Sequence, residues 1–515
     1  MSSTLAAIDM GTNSFHMVIV EPNDSGGFQI LTREKETVRL GSGAGDLESI
    51  TPEATARAID CLNRFGKIAK TRNASVRAVA TSAVREARNR EEFLKQVKKE
   101  TGLRVDVIQG KEEARLIYLG VLQALPVFEE RILLIDIGGG STEYLIGEKG
   151  IPEFATSLKL GAIRLTDRFF PEGQVSPSGI EDARYFLRLN LLGLRAEMPE
   201  QLPDKVIGSS GTARTILELA QNHIRNVNGE ARSITAGELD QVVELLLGCK
   251  NRKQRESKLG LDEKRSDIIV GGALLLQESF RILGIKEMVF SPFALREGVV
   301  FDSYNRSHRK KELSGIRRSS VLQLTNRMIP REGPAQICAN LSLNILEELS
   351  SAGAFFAEEV EKEILEYAAL MHNCGIAIAH SAHHKHSHYI IQNSEMLLGF
   401  TGREIDVMAA IARYHRKAMP GKKHSEYEEL NRYDRNLVKV LAGVLRIAIG
   451  LSRGESGRVE KVSIQKQGKD LVFWVQPSQK LKTGDDLSLE VHGATLRKEL
   501  LEQALERPID IRIQE

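Results

Sequence analysis

Cysteine is scarce. The 515 residues hold four, Cys61, Cys249, Cys338 and Cys374, with no CxxC pair. Their scatter excludes a zinc ribbon and a disulfide scaffold and fits a reducing compartment, with the thiols as ordinary buried side chains. Net charge is nearly absent too: 71 Lys and Arg against 69 Asp and Glu leave +2. Such a chain has no bulk attraction to nucleic acid or to an anionic membrane, so any polyanion must be held by a local arrangement of cations. No run approaches the roughly 18–20 apolar residues of a membrane span, and MSSTLAAIDMG lacks the basic and continuously apolar regions of a signal peptide. The expectation is a cytoplasmic protein without a nucleic-acid partner and with at most a peripheral membrane contact. The nucleotide loop GxxxxGK(S/T) is missing, and no array of repeats of roughly 20–50 residues is visible.

What is present is an ordinary globular composition, 42% hydrophobic and 27% charged, enough for roughly three or four domains at the usual size. Residues 5 to 20 read as two short strands around a turn, and 28 to 40 as a further strand. From Pro52 to about Lys70, apolar residues recur at helical spacing. RAVATSAVREARNREEFLKQV then reads as strand, loop and helix, and VDVIQG followed by GKEEARLIYLGVLQAL repeats strand into helix. Alternating strands and helices indicate an α/β class. The basic stretch NRSHRKKELSGIRR, between Asn305 and Arg318, reads as a linker, with a patch for an acidic ligand as the alternative. Nearly everything from 319 to 453 reads as helix. VEKVSIQKQGKDLVFWVQP alternates with period two around a QGKD turn and opens a small α+β module at 454–515.

One turn is written twice. IDMGTNSFHMVIV starts at Ile8 and IDIGGGSTEYLIG at Ile135; at an offset of 136 − 9 = 127 they share Asp9/Asp136, Gly11/Gly138 and Ser14/Ser141. A tight turn rich in Gly, Thr, Asn and Ser directs backbone N–H groups and hydroxyls to one point, as a phosphate requires. The preceding Asp would repel a phosphate directly, so it suits Mg²⁺ or an oriented water. Two such turns heading two similar lobes, 1–125 and 126–303, could close on a polyphosphate from both sides.

The motifs DMGTNSFHMVIV, REARN, GKEEARLIYLG, IDIGGGSTE, GSSGT and ALREG resemble, in order and spacing, those of the exopolyphosphatase and guanosine pentaphosphate phosphohydrolase family, part of the actin-like superfamily. The resemblance implies two actin-like, ribonuclease H-like lobes and a Mg²⁺-dependent phosphoanhydride hydrolase acting on inorganic polyphosphate or guanosine pentaphosphate. It implies Glu113 as the general base that activates water, with Glu112 structural. Asp136 and Glu143 look like the partners of Mg²⁺ and water, and Asp9 their match in the first lobe. Thr12, Asn13 and Ser14, and Gly138, Gly139, Gly140 and Ser141, resemble the phosphate cradle, although Asn13 and Ser14 could simply shape the turn. Arg85 resembles the family's phosphate-binding arginine. Ser210, Gly211 and Thr212 of GSSGT open a helix that could meet a further phosphate. Arg296 and Glu297 are read as ties of a strand–helix junction. A homodimer is also implied.

Seven of the 12 histidines fall between His372 and His415. The segment resembles a degenerate HD phosphohydrolase domain, with Asn373 where a metal-binding Asp is expected. A second hydrolytic centre is therefore not expected. The remaining readings are an anion path including Lys385, His386, Arg413, Arg416 and Lys417, strengthened by partial protonation near neutral pH, or simple core packing. Two other functions stay open on sequence alone: a kinase of the same superfamily, and a non-catalytic polyphosphate sensor.

Overall fold

The computed structural model describes residues 4–22, 28–41, 49–225, 232–307, 311–329, 333–416, 418–421, 423–453, 457–479 and 486–514. Its contacts divide the chain into two compact units, Met1–Leu313 and Ser314–Glu515.

The first unit carries two sheets. One holds β1 (Leu5–Met10), β2 (Ser14–Pro22), β3 (Phe28–Thr37), β4 (Ser75–Ala80) and β5 (Val105–Val107) in the order β3-β2-β1-β4-β5. The other holds β6 (Ile132–Ile137), β7 (Thr142–Glu148), β8 (Ile151–Leu158), β9 (Lys205–Ser209), β10 (Ser233–Thr235) and β11 (Glu287–Phe290), ordered β8-β7-β6-β9-β11-β10. In both, three antiparallel strands are followed by two parallel additions: β1 pairs β2 antiparallel and β4 parallel, and β6 pairs β7 and β9 in the same way. The likeness of the two turns thus extends to five strands of each sheet, as expected of an actin-like fold, while β10 adds an antiparallel edge to the second alone.

Local sequence accounts for these elements. β6, ILLIDI, is buried at every position, the near-continuous apolar text of a strand covered on both faces. Its one charged residue, Asp136, lies near the carboxyl end, where ligands collect in α/β sheets. The helix Pro52–Thr71 starts with Thr51 accepting the Ala54 N–H and Pro at its first position, and buries Ala54, Ala58, Leu62 and Phe65 at helical spacing. A shared core sets Ala7, Val18 and Val79 of the first sheet against Leu134, Leu145 and Ile207 of the second. Running through it, the helix Gly110–Ala124 crosses the helix Leu295–Ser307 so closely that a Cβ on Gly298 would sit 1.7 Å from the Leu116 carbonyl oxygen. At the same crossing, buried Arg115 grips Glu112 through two 2.7 Å hydrogen bonds and Asp302 through a third.

In the second unit, the helices Gly333–Ser351, Glu359–Met371, Gly402–Tyr414 and Arg432–Leu451 enclose one core. Val462, Ile464 and Phe473 of a terminal sheet, β12 (Val459–Gln467), β13 (Asp470–Pro477) and β14 (Ile509–Ile513), belong to that same core. The stretch read as a linker is largely helical. One helix runs to Ser307 and another spans Lys311–Met328, while residues 308–310 lie outside the described residues. Arg317 is not solvated but buried, donating to the Gly399 carbonyl at 3.0 Å and to Glu363 at 2.6 Å. Scarcity of apolar residues signals an exposed helix face as well as it signals coil.

Candidate active site

The two turns are built alike to the atom. Gly11 N–H closes the first on the Ser14 carbonyl at 3.2 Å, and Gly138 N–H closes the second on the Ser141 carbonyl at 2.9 Å. Behind the first turn, the carbonyls of Thr12 and Asn13 accept from the N–H groups of Gly41 and Arg39 at 3.2 and 2.8 Å. Behind the second, Gly139 O accepts from Ile163 N–H at 2.9 Å and Gly140 O from Arg164 Nε at 3.1 Å. With their carbonyls tied back, the turns keep the N–H groups of Thr12, Asn13, Gly139 and Gly140 uncommitted to protein acceptors among the described residues. The turns also meet: a Cβ on Gly139 would lie 3.4 Å from Thr12 Cβ.

Between them lies a cavity of about 450 Å³. Of the residues singled out in the sequence, Asp9, Thr12, Asn13, Ser14, Glu113, Asp136, Gly138, Gly139, Ser141, Glu143, Ser210, Gly211 and Thr212 line it, whereas Arg85 and Gly140 do not. Arg85 lies behind the wall, donating through Nη1 to Glu113 Oε2 at 2.8 Å and to the Ile108 carbonyl at 2.9 Å. Asp136 is held by the hydroxyls of Ser209 and Ser210, and Glu143 Oε1 accepts from Ser141 and Ser157 at 2.8 and 2.7 Å. Ser210 adopts φ 69°, a left-handed conformation costly for a residue with a side chain, and it is this bend that turns its hydroxyl onto Asp136.

Against that geometry the comparisons are specific. The sequence matches the Ppx/GppA phosphatase family over residues 18–307 and that family's domain III over residues 316–503. This chain belongs to the Ppx/GppA phosphatases. It is 29% identical over 501 residues to the guanosine-5'-triphosphate,3'-diphosphate pyrophosphatase of Vibrio vulnificus, covering 96% of this chain and 97% of the relative. Among solved structures, an exopolyphosphatase from Cytophaga hutchinsonii matches at 31% identity with a TM-score of 0.55, covering 59% of this chain and 98% of its own. The Aquifex aeolicus member of the family matches at 26% identity and 0.51, covering 60% and 99%. As a Ppx/GppA phosphatase the chain is a phosphoanhydride hydrolase.

The cavity of this phosphatase is lined by charges of both signs. Among the carboxylates, Asp9, Glu113, Asp136 and Glu143 are close enough to influence one another. Burial pushes Asp9 up to about 8, helped by the nearby Glu113 charge. Burial likewise raises Glu113, against the lowering pull of Arg85, and raises Asp136 and, strongly, Glu143. Asp9 Oδ1 is buried with no hydrogen-bond partner, an arrangement that a bound cation satisfies. No three His, Cys, Asp or Glu side chains among the described residues converge closely enough to form a ready metal cage.

Lys35, Arg214 and Arg265 also line the cavity and make no ion pair among the described residues, although the carboxylates of Glu218 and Asp262 line it as well. Burial lowers the affinity of Lys35 and Arg265 for their protons, with neighbouring cations adding to the effect and Asp262 opposing it, a tension that a polyanion relieves. Sequence reading missed all three. Arg265 packs its guanidinium against Gly211 of GSSGT, where a Cβ would lie 1.8 Å from Nη2, a contact made by packing that the motif itself does not signal.

Arg296 and Glu297 do tie their junction. Glu297 accepts from the Ala294 N–H at 3.2 Å and from Arg296 Nε at 2.8 Å. Both also line the cavity, and Arg296 Nη1 reaches His16 Nδ1 at 2.9 Å. His16 occupies the place in the first lobe that Glu143 occupies in the second, opposite Asp9 as Glu143 is opposite Asp136.

The histidine segment departs from expectation. His372, His383 and His415 are buried, and each directs Nδ1 at the backbone carbonyl three residues earlier, at 2.6, 3.0 and 2.6 Å. Burial pushes His372 and His384 down to about 4 and lowers His383, His388 and His415 as well. At these five, desolvation opposes the imidazolium form, so the partial protonation expected near neutral pH does not hold for them, and the core-packing reading fits the buried His372, His383 and His415. Lys417 lies outside the described residues.

Proposed function

We propose that this phosphatase removes the terminal phosphate of inorganic polyphosphate by direct attack of water. The observation that carries it is one cavity lined by two uncommitted N–H turns, by the carboxylates of Asp9, Glu113, Asp136 and Glu143, and by the cations Lys35, Arg214 and Arg265. The end phosphoryl group sits between the turns, whose N–H groups and the hydroxyls of Thr12 and Ser14 stabilise its oxygens as charge develops. The rest of the chain extends toward Lys35, Arg214 and Arg265.

Glu113 is the general base. Its raised proton affinity suits it to take a proton from water near neutral pH, and Arg85 keeps that affinity from rising so far that the carboxylate is never free. Asp136 and Glu143, fixed by serine hydroxyls, orient the attacking water. Asp9 is the residue that would hold Mg²⁺, with Asp136 and Glu143 assisting through waters, in keeping with the few carboxylates and several waters this ion favours. Bound there, Mg²⁺ would supply charge neutralisation on the transferred phosphoryl group.

Guanosine pentaphosphate is the second reading, favoured by the full-length likeness to the Vibrio vulnificus enzyme; it ends in the same phosphoanhydride. An HD-like origin for the helical part, a homodimer and a cytoplasmic location follow from the resemblance and are tested by structural comparison with HD phosphohydrolases, light scattering and fractionation. The deciding assay sets long polyphosphate, guanosine pentaphosphate and ATP side by side with Mg²⁺ and follows product length over time. Full-length chains persisting beside free phosphate would mark processive removal from the end. Glu113→Gln should abolish phosphate release while polyphosphate still binds, and undiminished turnover would remove Glu113 from the mechanism.

A further inference from the structure

Two carboxylates act on the Arg85 guanidinium behind the cavity: Glu113, which it bonds, and Glu86, whose charge also reaches it. Arg85 and Glu86 are adjacent at the end of the short helix Ser82–Glu86, and Arg85 is given to Glu113 at 2.8 Å rather than to its neighbour. Glu86 is claimed instead from the second lobe: Arg164 Nη2 donates to its Oε2 at 3.0 Å, and Lys159 Nζ stands 3.2 Å from the same oxygen. The Glu86 and Arg164 side chains are only 12% and 13% exposed, whereas Lys159 is 72% exposed. The strong member of the pair is therefore Arg164, since an exposed lysine contributes little.

Arg164 has a second task. Its Nε donates to the Gly140 carbonyl at 3.1 Å, and its backbone N–H approaches the Gly139 carbonyl at 3.4 Å. Gly161, which caps the helix Ala162–Phe169 that carries Arg164, has no room for a side chain, because a Cβ would fall 2.3 Å from Gly139 O. One guanidinium thus joins the glycine turn of the second lobe to the residue beside Arg85 in the first, without lining the cavity.

We propose that Arg164 is a positioning residue: by occupying Glu86 it reserves Arg85 for Glu113, and by holding Gly140 it fixes the phosphate-binding turn against the lobe that carries the base. The first half rests on reading Glu113 as the general base. The planar fork of arginine serves both acceptors at once, which a lysine ammonium cannot match.

The test is a double-variant cycle on the full chain with long polyphosphate and Mg²⁺, each variant's thermal midpoint being measured alongside. In Arg164→Gln, Glu86 keeps only the exposed Lys159 and draws Arg85 away, so kcat should fall at least about tenfold, while loss of the Gly140 tether raises KM a few-fold. Adding Glu86→Gln removes the competitor. The double variant should then recover kcat to within about threefold of Glu86→Gln alone, with KM still raised. A loosened fold would not be repaired by deleting a second polar contact, so recovery separates positioning from stability. Arg164→Lys, which keeps a cation for Glu86, should retain more kcat than Arg164→Gln yet share its raised KM. Wild-type kcat in Arg164→Gln, or no recovery in the double variant, overturns the proposal. Turnover by Glu113→Gln run in parallel would instead remove the general-base reading.

Discussion

Asp9 shows how a single residue links the site to solution conditions. An exposed aspartate loses its proton near pH 4, but folded Asp9 holds it to about 8. Between those values the folded state binds more protons than the unfolded one, so this contribution to stability is complete below about pH 4 and is lost as pH rises through about 8. Without Mg²⁺ the thermal midpoint should therefore fall from pH 6 to pH 9, and less steeply in Asp9→Asn. Because a cation competes with that proton, Mg²⁺ should raise the midpoint more at pH 8 than at pH 6, and this difference should vanish in Asp9→Asn. Identical profiles for the two proteins would remove Asp9 from cation binding. On the cavity wall beside Gly211, Arg265→Ala removes one charge-assisted contact, so KM for long polyphosphate should rise roughly tenfold with kcat little changed. The difference between wild type and variant should shrink in high salt.

At the scale of elements, the site depends on how tightly Gly110–Ala124 is held. Gly298→Ala drives a methyl group into the Leu116 backbone and should cost about 1–3 kcal/mol in urea unfolding. Gly66, interior to the helix Pro52–Thr71, would carry a Cβ with nothing within 4 Å of it; Gly66→Ala should stabilise by about 0.5–1 kcal/mol. Like signs for the two substitutions would contradict a tight crossing at Gly298. The contrast also marks what sequence alone conveys. The paired turns are legible because a phosphate-binding bend is local, its glycines and hydroxyls lying within a few positions of one another. Alternating elements give the α/β class for the same reason. Lys35, Arg214 and Arg265 come from different elements and meet only through packing, and Glu86 and Arg164 are 78 residues apart. The histidine segment misleads because composition counts imidazoles while burial decides their charge. Arg85 matches its motif, yet whether it faces substrate or the back of Glu113 depends on a helix end that no motif encodes.

The whole molecule adds a consequence of having separate cores. The phosphate turns, the carboxylates and the cationic wall all belong to Met1–Leu313, whereas Ser314–Glu515 closes its helices and terminal sheet around a core of its own. Two cores of this size need not unfold in one step. Scanning calorimetry of the full chain should resolve two transitions. Phosphate or a short polyphosphate with Mg²⁺, which binds only folded first unit, should raise one of them by the amount its occupancy dictates and leave the other in place. Long polyphosphate distinguishes the role of the second unit. If the second unit adds contacts for a chain that has passed the cationic wall, the second transition should rise too, and the shift should grow with chain length until the added contacts are filled. A second transition that stays fixed at every chain length would confine substrate recognition to the first unit.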